Sequence, residues 1–174
     1  MADARGGPFL HLALLHPEIG PNAGSIGRLC LGVGVRLHLV HPLGFRTDDK
    51  AVRRAGLDYW KHVDVVEHTS AEAFWDWAGD RRVHFFSSHG ARPYTALRFA
   101  PGDVLLFGRE SVGLPAELLA TRPSWNIPMS GPIRSLNLAN AASVVTYEAL
   151  RQLRPALFAD PGPARIADPG PATD

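Results

Sequence analysis

The chain has 174 residues, a length that favours one domain, and 45% of them are hydrophobic, which allows a sizeable core. Lys and Arg number 18 against 17 Asp and Glu, so the formal charge is only +1; a whole-surface electrostatic grip on nucleic acid is not evident, and any basic face must be local. The single cysteine, Cys30, excludes an internal disulfide; with no signal-peptide pattern and no membrane-length apolar run, a reducing, cytoplasmic setting is expected.

In chain order, residues 9–15 are short and apolar and read as a buried strand. Asn22 then opens a helical pattern through Leu31, with Gly32 and Gly34 as stop signals and Asn22 as a candidate N-cap. Val35 to Val40 is the next strand. A short charged helix is predicted over 48–55, a strand over 63–66 and a helix over 71–77. Strands follow at 83–87 and 104–107. Pro115 falls in the first turn of a helix over 115–120, and 125–127 is a last short strand. The longest helix is predicted over 137–153, with Leu138, Ala141, Val145 and Leu150 spaced for one apolar face and Ser135 as a candidate cap.

Strands alternating with helices imply an α/β fold, a mostly parallel sheet covered on both faces. Ligands of such sheets sit beyond the C-terminal strand ends. Residues 1–8 are expected to be a flexible N-terminus, 9–154 the folded domain, and 155–174 a Pro-, Gly- and Ala-rich tail too poor in apolar residues to order itself.

Three loops at strand ends stand out. The first runs His16-Pro17-Glu18-Ile19-Gly20-Pro21-Asn22-Ala23-Gly24-Ser25-Ile26-Gly27-Arg28 and enters a helix; Arg28 is the only charge between Pro21 and Val35. The second, Phe107-Gly108-Arg109-Glu110-Ser111-Val112-Gly113-Leu114-Pro115, brackets a charged pair with two glycines, as a backbone approaching a ligand would. It has neither the Walker ending nor the dinucleotide spacing. The third runs from Ile127-Pro128-Met129 through Arg134-Ser135-Leu136-Asn137 to Asn140, and its buried amides need partners. Taken singly, each loop reads equally as an ordinary turn or helix start. Metal-ligand and nucleophile patterns are missing, so no metal is expected. His16, His41 and His89 read as ordinary loop histidines, and Cys30 as a buried small residue.

In this order the three loops resemble the three motifs of the SpoU branch of the SPOUT RNA methyltransferases, across residues 9–153. The segments Pro21–Cys30 and Asp49–Trp60 are similar to those of the short tRNA (cytidine/uridine-2′-O-)-methyltransferases of the TrmL group, which act on the wobble nucleotide of certain leucine tRNAs. The resemblance implies a C-terminal deep trefoil knot, a homodimer and S-adenosylmethionine as methyl donor, with S-adenosylhomocysteine as product. It implies that Phe86, Gly108, Ile127, Met129, Ser135 and Leu136 cradle the cofactor. It also implies that Arg28, Asn22, Glu110, Ser135 and Asn137 form the catalytic set. Arg53 and Arg54 are candidates for phosphate contacts with a tRNA anticodon loop. Three alternatives stay open: a ribosomal RNA or other tRNA position, a knotted RNA-binding protein without turnover, and an unrelated nucleotide-binding enzyme.

Overall fold

The computed structural model describes residues 7–47 and 59–159. Seven parallel strands form one sheet: β1 (Leu10–Leu15), β2 (Arg36–Val40), β3 (Val65–His68), β4 (Val83–Phe86), β5 (Arg92–Pro93), β6 (Asp103–Phe107) and β7 (Ser124–Asn126), in the spatial order β3-β2-β1-β6-β4-β7-β5. Among the described residues four α-helices accompany them: α1 (Gly20–Val33), α2 (Ala71–Ala78), α3 (Ala116–Leu119) and α4 (Leu138–Leu153).

The period of two along each strand sorts side chains onto two covered faces. Leu10, Leu12 and Leu14 of β1 join Leu105 and Phe107 of β6 under Ala23, Ile26 and Cys30 of α1 and Val145, Ala149 and Leu150 of α4. Ala13 and Leu15 join Val104 and Leu106 under Phe74 and Ala78 of α2. Removing either layer's large aliphatics costs about 2–5 kcal/mol each, since no water reaches them. Cys30 lies in the first layer, where burial pushes its thiol up to about 12, consistent with a packing role.

Two helix starts differ from the sequence expectations. α1 begins at Gly20 with Ile19 as N-cap, so Asn22 is not the cap but a buried first-turn residue. Pro21 explains the early start, because a proline in the first turn lacks only an N–H that would have had no partner. Gly34 ends the helix in a left-handed conformation (φ 71°), while Gly32 stays inside it. α4 is capped by Asn137 and not by Ser135: Asn137 Oδ1 accepts from Ala139 N at 2.9 Å and Asn140 N at 3.4 Å. Pro115 lies outside α3, at its N-cap position, and makes no side-chain cap bond. The strand expected at 63–66 lies at Val65–His68, paired to β2, and the two-residue edge strand β5 carried no periodicity to predict it. The helix expected over 48–55 lies outside the described residues.

The strand order places the crevice. From β1 the chain winds outward through β2 and β3, then crosses back to build β4 and inserts β6 between β4 and β1. Ligands of open parallel sheets bind at such a reversal, beyond the C-terminal strand ends.

Candidate active site

A cavity of about 740 Å³ opens at that reversal, walled by the loops that leave β1, β4, β6 and β7 and by the start of α4. The volume falls in the range of small-molecule and cofactor sites. Phe86, Phe107, Trp125, Ile127, Leu136 and Leu138 supply apolar wall, and Asn22, Ser87, Glu110, Ser135 and Asn137 supply polar groups.

Loop two is a tight turn. Arg109 N donates to Gly113 O at 3.1 Å, and Gly113 N returns a bond to Arg109 O at 2.8 Å. Gly113 takes φ 74°, in the region that favours glycine. A Cβ on Gly108 would lie 2.1–2.3 Å from backbone atoms of Gly113 and Leu114, so no side chain fits there. Those two glycines let the turn fold flat against the cavity.

One hydrogen-bonded chain joins all three loops. Asn22 Nδ2 donates to Glu110 Oε1 at 3.0 Å, and Asn137 Nδ2 donates to Asn22 Oδ1 at 3.0 Å. Its polarity is fixed at both ends. Glu110 is a carboxylate and can only accept; Asn137 Oδ1 is held by the N–H donors of α4. Asn22, only 8% exposed, can therefore take a single amide orientation. Glu110 does a second thing. Its Oε2 accepts from Glu18 N at 2.8 Å and its Oε1 from Ile19 N at 3.2 Å. Ile19 offers no side-chain cap to α1, so Glu110 supplies a carboxylate at that helix start from across the cavity.

Glu18 answers in the opposite direction. Its Oε1 accepts from Arg109 Nε at 3.1 Å and Nη2 at 2.7 Å, and its Oε2 from Ser111 N at 3.0 Å. Bonds from Ser111 and from Arg109 hold its carboxyl down at about 2, so it is charged at any physiological pH. His16, the first residue of loop one, takes φ 54°, and its pKa is lowered first by burial and then by Arg109.

Of the residues singled out by sequence, Asn22, Phe86, Gly108, Glu110, Ile127, Ser135, Leu136 and Asn137 line this one cavity. Met129 is half-buried and is not among the lining residues. Arg28 is not among them either: it lies on the exposed side of α1, its guanidinium 5.4 Å from the ring centroid of Tyr59. Tyr59 in turn donates to Gly24 O at 2.9 Å. Arg53 and Arg54 lie outside the described residues. Sequence reasoning missed Glu18, whose partners lie 91 and 93 residues away, and the wall segment Ser87–His89, which carries no motif. It also missed a buried row of imidazoles outside the cavity. His11 Nδ1 and His38 Nε2 are 2.9 Å apart, as are His38 Nδ1 and His68 Nε2, with Trp77 packed against all three rings. A histidine inside each of two adjacent apolar strands was the available signal.

A parallel sheet whose three motif loops meet in one hydrogen-bonded cavity is the architecture of a SpoU-type methyltransferase. The sequence pattern of the SpoU rRNA Methylase family matches residues 9–147, and the chain belongs to that family of methyltransferases. Within it, the chain is 48% identical to the tRNA (cytidine(34)-2′-O)-methyltransferase of Aeromonas hydrophila subsp. hydrophila, over 83% of this chain and 95% of that one. It is 50% identical to a solved structure that bears on the 2-OH methylation of C/U34 on tRNA, with a TM-score of 0.79 over 83% of this chain and 96% of the other. It is 28% identical to the SpoU methyltransferase AviRb of Streptomyces viridochromogenes, solved in complex with the cofactor AdoMet; there the TM-score is 0.70 over 83% of this chain and 58% of AviRb.

Proposed function

We propose that this chain transfers a methyl group from S-adenosylmethionine to the ribose 2′-hydroxyl of the wobble nucleotide, cytidine or uridine 34, of tRNA, leucine tRNAs foremost. The observation that carries the reading is the Glu110–Asn22–Asn137 chain, which joins all three family motifs at one cavity. The names of the relatives support the tRNA wobble position, and AviRb with AdoMet supports the donor.

The cavity fits such a donor. Gly108 and Gly113 let backbone close against it, and Phe86, Ile127 and Leu136 offer an apolar slot for an adenine ring. Bound there, S-adenosylmethionine would supply an already activated methyl group, so the protein's task is the acceptor. A ribose hydroxyl is weakly acidic and must be oriented and relieved of its proton. Asn22 keeps one Nδ2 hydrogen and one Oδ1 lone pair free after its two bonds, enough to fix one hydroxyl. Ser135, exposed on the cavity wall, is a second group able to orient it. Glu110 and Asn137 act by holding Asn22. Arg28 serves as a fixed positive charge for the developing alkoxide or an adjacent phosphate, because a guanidinium stays protonated in proteins. Its place outside the cavity of one chain requires the RNA to cross α1, or a homodimer to carry Arg28 to it.

The homodimer, the trefoil knot, the cytoplasmic setting and the division into flexible 1–8, catalytic 9–154 and tail 155–174 belong to the same reading. Insertion of β7 between β4 and β5, followed by the return of α4 onto α1, supports the knot. Among the described residues no helix is long and apolar enough to cross a membrane.

The test compares two leucine tRNAs, one natural and one carrying a 2′-deoxyribose at the wobble position. With methyl-labelled S-adenosylmethionine the first should take up label and the second none. Equal labelling of both would overturn the site.

A further inference from the structure

We propose that Glu18 is a positioning residue: its carboxylate latches loop two over the cavity and so sets the affinity for the methyl donor, without touching donor or RNA. The inference rests on the functional reading above and deepens it.

The geometry is reciprocal. Loop one and loop two each carry one carboxylate, and each carboxylate reaches across to the other loop. Glu110 ties the start of α1 and Asn22. Glu18 ties the guanidinium of Arg109 and the backbone of Ser111. Loop two is otherwise closed on itself through Arg109 and Gly113, which sets its shape but not its tilt toward the sheet. Its residues Gly108 to Gly113 form one wall of the cavity, and Ile19 and Asn22 form the facing part of loop one. The distance between those walls is what the two carboxylates hold.

The two ties are unequal in consequence. Glu110 acts on Asn22, so its loss disturbs the acceptor side. Glu18 acts only on the loop-two wall. Its carboxylate accepts from donors of three kinds, a guanidinium edge, a backbone N–H and the Ser111 hydroxyl. Glutamine keeps the length but offers one oxygen. Its NH2 group must then displace either Arg109 or Ser111 N, donors from which it cannot accept, and it keeps only the Ser111 hydroxyl as a partner. A preorganised wall lowers the cost of binding; a wall free to tilt restores that cost.

The experiment measures S-adenosylhomocysteine binding by calorimetry, together with methylation kinetics on tRNA, for wild type, Glu18→Gln and Arg109→Ala. Glu18→Gln should raise Kd for S-adenosylhomocysteine and KM for the donor about tenfold, with kcat and the KM for tRNA within about twofold. Arg109→Ala, which leaves the Ser111 bond in place, should cost about threefold. Melting temperatures should stay within about 4 °C, since an exposed ion pair contributes little to stability. Wild-type donor affinity in Glu18→Gln would overturn the proposal. So would a fall in kcat that tracks the melting temperature while KM holds, because that marks a merely structural role. If wild type itself binds neither S-adenosylmethionine nor S-adenosylhomocysteine, the methyltransfer reading fails and this inference falls with it.

Discussion

Gly108 and Arg28 test opposite halves of the site. A side chain at 108 meets backbone, not a movable side-chain tip, so the turn must open. Gly108→Ala should reduce donor affinity at least about tenfold and leave the fold intact; calorimetry and far-UV circular dichroism check both parts. Arg28 stands apart from the donor cavity, so Arg28→Ala should bind donor normally yet lose at least about a hundredfold in turnover, as read by single-turnover methylation. Near-normal turnover would remove Arg28 from the mechanism. Arg28→Lys separates charge from shape: a charge effect leaves measurable activity, whereas a fork-geometry requirement does not. Asn22, Glu110, Ser135 and Asn137 were legible as candidates through the resemblance of the three loops to the family motifs, since each loop taken singly reads equally as a turn or a helix start. Glu18 was not, although it lies inside the first loop. Nothing local distinguishes it, and its role exists only once residues 91 and 93 positions away fold beside it.

At the scale of the elements, β1, β2, β6, α2 and α4 were legible to within a residue or two, because period-two and helical patterns are local. Cap identity was not. Ser135 and Asn137 are both good capping residues, and only the path of the loop decides between them. Asn137→Ala should therefore cost about 1 kcal/mol of stability through the lost cap, measured by urea denaturation. It should also lower turnover, because Asn22 loses the partner that fixes its amide. The imidazole row across β1, β2 and β3 gives a pH dependence. Burial first, then His11 and His68, holds His38 at about 2, against 6.5 for the free side chain. The unfolded chain then takes up a proton below pH 6.5 that the folded chain refuses. Stability is full above that pH and falls as pH drops toward 2. Between pH 7.5 and pH 5 the loss should be about 2 kcal/mol from His38 alone, read as a shift in the urea midpoint. A midpoint unchanged over that range would show that His38 accepts a proton within the fold. Glu18, whose carboxyl is also held low, adds to the acid limb only below its ordinary value of 4.5.

At the scale of the whole molecule, the proposed function brings a near-neutral chain to a polyanion. With a formal charge of +1, the proposed tRNA substrate would be held by local basic residues, for which Arg28 on α1 and the pair Arg53–Arg54 are the candidates. Binding should weaken steeply with salt, and Arg53→Ala with Arg54→Ala should reduce the log–log salt slope by about 2. A slope unchanged in that variant would move the RNA surface elsewhere. The general plan, an α/β sheet with its site at the strand ends, was legible in the sequence because βα alternation dictates it. The insertion of β6 between β1 and β4 was not, since strand order has no local signature. The central claim is methyl transfer to the wobble ribose, and one measurement addresses it most directly. Total tRNA lacking the modification is incubated with the purified chain and labelled S-adenosylmethionine, then digested and mapped by mass spectrometry. The account predicts one new 2′-O-methyl group, at nucleotide 34, the position named for the relative from Aeromonas hydrophila. A methyl group on a base, on another nucleotide, or on no tRNA at all would contradict it.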